Sequence, residues 1–130
     1  MSTKSISVVI FILSLLTANA NASVVTFICT YQKYANDTGI SRAEKDFKLT
    51  FNLDTVSSKA FMVGNIGVEE VTFIQHNEGF NFIEITGAGA VQTTVIDMRG
   101  NSVHSRHTIV QKEIVPSQFY GTCVRNISKR

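Results

Sequence analysis

His104-Ser105-Arg106-His107 places two imidazoles, a hydroxyl and a guanidinium within four residues, flanked by Val103 and Thr108-Ile109-Val110. These residue types can ligate a metal, activate a serine or hold an anion, and their spacing decides which. The β-branched flanks predict a strand, in which successive side chains point to opposite faces. His104 and His107 then face apart and cannot share a metal ion. The third histidine, His76, stands in the turn HNEG. A zinc site would need it beside one of the pair, with a carboxylate to complete the set. No metal ligand is assigned.

Ser105 and His107 do share a face, which suggests a nucleophile and its base. Residues two apart on a strand are ~6.5–7 Å apart at the backbone. The strained glycine turn of a nucleophile elbow is also missing. Glu69 and Glu70 are adjacent and point apart. Glu84 and Asp97 sit on different predicted strands and could face each other at glycosidase separation, but they read as solvated strand residues. Gly87 and Gly89 in TGAGA look like a phosphate cradle, yet the strand-like VQTTVID follows where a helix is required. A hairpin loop is the better account. The sequence assigns no catalytic residue and no cofactor.

The hairpin VQTTVID–SVHSRHTIV remains, closed by MRGN with Gly100 at positive φ. Alternation puts Gln92, Thr94, His104, Arg106 and Thr108 on one side. That side is read as facing water, with Val103, Ser105, His107 and Ile109 on the drier face. A surface of this composition can hydrogen-bond an anionic or peptide-like partner, so these five are the candidate binding residues.

The elements around them share the period of two. FKLTFNLD sets Phe47, Leu49, Phe51 and Leu53 against Lys48, Thr50, Asn52 and Asp54, the pattern of a half-buried antiparallel strand. VVTFICTYQ, SKAFMVG, EEVTFIQH, GFNFIEIT, VQTTVIDM, SVHSRHTIVQK and SQFYGTCV read as further strands. Glycine-, asparagine- and serine-rich turns separate them at intervals of about 8–12 residues. Ala35–Asp46 breaks the rhythm. Its Ser41-x-x-Glu44 has the spacing of a capping box, so a helical turn over Arg42–Lys45 or a loop is expected. Pro116 is expected between strands or at an edge. The sequence therefore predicts an all-β antiparallel meander of about eight strands, either a closed barrel or a flattened sandwich. A chain this short is expected to fill its interior with side chains.

Met1–Ala22 has a basic start at Lys4, an apolar run Ile6–Leu16, and small residues ending in Ala18-Asn19-Ala20 or Ala20-Asn21-Ala22. These are the parts of a secretory signal peptide. The run is far shorter than the ~20 residues that span a bilayer. The expected product is residues 23–130, a single domain in the periplasm or secreted, with no membrane anchor after cleavage. Two cysteines, Cys29 and Cys123, fit one disulfide in that compartment, joining the first and last strands. Without Lys4 there are 11 basic and 10 acidic residues. There is no basic stripe interleaved with aromatics, so nucleic acid is set aside as a partner.

In layout (exported, about 100 residues, all-β, ends tied by one disulfide) the chain resembles small periplasmic lysozyme-inhibitor barrels. The resemblance implies an inhibitor-like role and carries over no motif residue. The functional expectation is a non-catalytic binding module that holds a protein or small ligand through its polar sheet face. The competing expectations are a small envelope hydrolase and a structural or assembly subunit.

Overall fold

Apolar–polar alternation becomes a closed cylinder in the computed structural model, which describes residues 23–129. Met1–Ala22, the expected signal peptide, lies outside the described residues. Eight strands follow in order: β1 (Ser23–Asn36), β2 (Gly39–Asp54), β3 (Lys59–Gly64), β4 (Gly67–His76), β5 (Gly79–Ile85), β6 (Val91–Asp97), β7 (Asn101–Val110) and β8 (Glu113–Lys129). Each pairs antiparallel with the next, and β1 closes the barrel by pairing with β8. Closure removes the edges along which an open meander would aggregate. Cys29 and Cys123 face each other across that seam in direct register, with Cα atoms 3.9 Å apart, and are joined by the disulfide. The bridge constrains a long loop, an effect worth ~4–5 kcal/mol in the chain-entropy account.

The interior is filled from one end. Phe27, Phe51, Phe80 and Phe82 are buried, and Phe73 packs against them. Phe51 and Phe82 stack with ring centroids 4.3 Å apart, and Phe27 lies 4.9 Å from Phe80. The turn Asp97–Asn101 stands at this end. The Asp97 carboxylate accepts hydrogen bonds from the backbone N–H groups of Arg99 and Asn101, at 2.9 and 2.8 Å. Gly100 takes φ 91° there, as expected, and a Cβ on it would lie 2.6 Å from the Cys123 carbonyl oxygen. The turn therefore demands glycine for both backbone angle and space.

At the other end the strands differ in length. β1, β2, β7 and β8 run past the rim at which the short β3, β5 and β6 stop. This corrects the expectation for Ala35–Asp46, which is neither loop nor helical turn. Ala35 pairs with Ile40, Tyr34 with Ser41 and Lys33 with Arg42. The reversal takes only Asp37-Thr38, and Asn36 Oδ1 accepts from the Thr38 N–H at 2.9 Å. Cross-strand pairing takes Ser41 and Arg42 into the ladder, where a capped turn cannot form, and the register shifts before pairing resumes at Phe47. Pro116 lies within β8, opposite His107 and before the pairing with β1 begins at Gln118, so it has a ladder neighbour on one side only.

β7 corrects two further expectations. The strand ends at Val110, because Gln111 and Lys112 form the turn, with φ of 50° and 71°. The grouping of faces is right and their direction is inverted. Ser102 and His104 are buried, whereas His107 and Ile109 are exposed. The supposed wet face is the barrel interior at Ser102 and His104, while Arg106, further along it, is exposed as expected. The apolar residues Val103 and Ile109 point outward because the polar side chains find partners inside.

Candidate functional site

Register stacks the interior of β5, β6 and β7 into rows. Phe80, Ile96 and Ser102 lie at one level, then Phe82, Thr94 and His104, then Glu84, Gln92 and Arg106. The rows change from apolar to charged towards the uneven rim.

The middle rows hold a satisfied polar network. The Tyr31 hydroxyl lies 3.0 Å from Ser102 Oγ, and Thr94 Oγ1 lies 2.8 Å from His104 Nδ1. Thr94 also acts on the Tyr31 hydroxyl, so the two pairs are neighbours. Burial pushes the Tyr31 hydroxyl up to about 12, with Ser102 and Thr94 acting the other way. The imidazole of His104 is 2% exposed, with the Phe47 and Tyr31 rings about it at centroid distances of 5.6 and 6.0 Å. Burial first, and the Arg106 charge second, hold its pKa down to about 4. All four groups are thus neutral at pH 7. They order the interior and offer no charged acid–base pair.

Above this network the packing stops. A cavity of about 510 Å³ opens between Phe47 and Leu49 of β2, Met62 of β3, Glu69 of β4, Glu84 and Ile85 of β5, Gln92 of β6 and Arg106 of β7. The turn at Asn65-Ile66 and the loop Thr86–Ala88 form its rim. The expected TGAGA hairpin loop is present, held by Thr86 N–H to the Ala90 carbonyl at 2.9 Å and by Gly89 N–H to the Thr86 carbonyl at 2.8 Å. The cavity exists because β4 divides its pairing. Its first half, to Val71, pairs with β3, and its second half, from Thr72, pairs with β5. No ladder joins Glu69–Val71 to Glu84–Ile85, and the wall parts there. The interior is filled at one end only, which amends the expectation of a filled barrel.

Glu84 is the anomalous group of the mouth. It is 9% exposed, and its Oε2 is buried with no hydrogen-bond partner. Burial raises its pKa, the Glu69 charge raises it further, and Arg106 opposes both. Buried polar atoms are nearly always partnered, so an unmatched carboxylate oxygen calls for an explanation.

Of the five candidate binding residues, Gln92 and Arg106 line the cavity. Thr94 and His104 bond to each other beneath it, and Thr108 lies on the overhang opposite Val115. Ser105 and His107 are on the outer face of β7. Glu84 and Asp97 lie at opposite ends of the β5–β6 hairpin, since Glu84 pairs with Gln92 and Asp97 with Gly79. Five residues of strand separate Gln92 from Asp97, ~17 Å. Among the described residues no three potential metal ligands come together. Sequence reasoning weighs Glu84 and Glu69 and sets both aside, reading Glu84 as a solvated strand residue. The signal for Glu84 was present in GFNFIEI, where the carboxylate continues the face of Phe80 and Phe82 at period two. A carboxylate on a phenylalanine face has to be matched or functional.

No protein family, curated protein or solved structure matches this chain in comparison by sequence or by fold. Among the described residues no helix is long and apolar enough to cross a membrane.

Proposed function

We propose that this chain is an exported, non-catalytic binding module whose small ligand enters the mouth of the barrel. One observation carries the reading: a cavity of about 510 Å³, walled by Phe47, Leu49 and Met62 and met by a few polar groups, above a core packed solid. Small-molecule sites have this size and composition, ~300–1,000 Å³ and mostly apolar with a few placed polar groups. The leader Met1–Ala22 supports delivery to the periplasm or medium. The disulfide suits that compartment.

Native mass spectrometry of the protein recovered from its exported fraction tests this reading. The expected polypeptide begins at Asn21 or Ser23 and carries a small molecule. The bound mass is lost in Ala88→Trp, which fills the mouth from its rim. An intact leader, or equal loading of the variant, would contradict the proposal. A protein partner is the second reading, favoured by the overhang, where Ile40, Ile109 and Ile114 are 73%, 72% and 76% exposed. Capture of one partner from envelope extract, lost on Ile109→Glu/Ile114→Glu, would establish it.

A further inference from the structure

We infer that the ligand of the mouth is an organic amine, an apolar body bearing an ammonium group that Glu84 and Glu69 receive where the wall between β4 and β5 parts. The inference rests on the mouth being a ligand site and adds the chemistry that site selects. Its first support is the unpartnered Oε2 of Glu84, an acceptor buried in the cavity wall. The second is the placement of charge. Glu69 stands across the unpaired gap from Glu84, and its charge disfavours ionising Glu84. A cation seated between the two carboxylates satisfies the empty acceptor and turns a repulsion into two attractions.

The protein's own cation does not serve. Arg106 lies two strands from Glu84 with Gln92 between, ~10 Å at the backbone. The ion pairs Lys59–Glu70 and Arg99–Asp97 both lie outside the mouth. A bare divalent ion does not fit either. Calcium takes six to eight oxygens, whereas the two carboxylates, with the Gln92 amide beside Glu84, stand against walls of Phe47, Leu49 and Met62, and no three potential metal ligands come together among the described residues. An ammonium group needs few acceptors, and its hydrocarbon body covers those walls.

Calorimetric titration with phenethylamine, phenylethanol and hydrocinnamate tests the inference, because the three share one apolar body and differ in the head group. Phenethylamine is expected to bind wild-type protein at least tenfold more tightly than phenylethanol. Glu84→Gln should remove most of that preference. Glu69→Gln, at an exposed position, should reduce it and serves as the second variant should Glu84→Gln not fold. If hydrocinnamate binds most tightly, if the alcohol equals the amine, or if both variants keep the preference, the amine inference falls and the mouth remains a ligand site. If no probe binds, or Ala88→Trp binds phenethylamine as wild type does, the ligand-site reading falls with it.

Discussion

At the end of the barrel marked by Asp97–Asn101, five phenylalanines from β1, β2, β4 and β5 pack ring on ring, and β4 pairs with β5 along Thr72–His76. At the other end β5, β6 and β7 hold Glu84, Gln92 and Arg106 at one level, the β4–β5 ladder fails, and space remains. Between them lies the neutral network of Tyr31, Ser102, Thr94 and His104. The two ends divide the work of the chain. One supplies cohesion from apolar burial, and the other bears an unsatisfied carboxylate that the first must offset. Sites that bind tend to break the rules of good packing, and stability elsewhere allows it.

Substitutions at the two ends should differ most where the rings stack. Phe51→Ala is expected to cost ~3–5 kcal/mol, the range for truncating a buried aromatic residue. Ile85→Ala, at the exposed rim of the mouth, should stay within ~0.5 kcal/mol. Urea denaturation of both variants measures the contrast, and similar losses would erase it.

The middle layer should respond to acid. The imidazole of His104 binds its proton less readily when folded, near 4 against an ordinary 6.5. Between those values the unfolded chain holds more protons, so stability falls as pH drops from 6.5 to 4, by on the order of 3 kcal/mol from this group. Glu84 has the opposite sign, because a raised carboxyl pKa costs stability as pH rises. Subtracting the pH profile of His104→Asn from that of wild type isolates the histidine. Parallel profiles would mean that His104 is not enclosed.

Smaller effects belong to the overhang and the outer face. Gln111 and Lys112 hold positive φ without being glycine. Gln111→Asn/Lys112→Gly, the residues such a two-residue turn prefers, should gain about 1 kcal/mol, read as a higher urea midpoint. His107→Ala, on the outer face of β7, should change stability by less than ~0.5 kcal/mol. A large loss there would restore the inward assignment of His107.

The sequence made the architecture legible because its strands alternate and its turns carry glycine and asparagine at the reversals. The Phe47–Leu53 alternation and the MRGN turn are each read correctly from local residues. The partition of β7 into two faces was legible too, since period two follows from backbone geometry alone. Which face turns inward was not. Polar residues fill the inner positions of β7 from Ser102 to Arg106, and their partners Tyr31 and Thr94 come from other strands, so local polarity pointed the wrong way. The Gln111-Lys112 turn escaped notice because neither residue is a usual turn former. The cavity depends on where β4 changes partner, a property of long-range register that no short window of residues contains.

Methyl NMR of protein with isotope-labelled methionine observes both ends in one spectrum. Met62 lines the mouth, and Met98 stands exposed in the turn at the packed end. Titrating in phenethylamine should move the Met62 methyl signal saturably and leave Met98 in place. A shift at Met98 with Met62 unmoved, or no shift at either, would contradict the assignment of the mouth as the binding end.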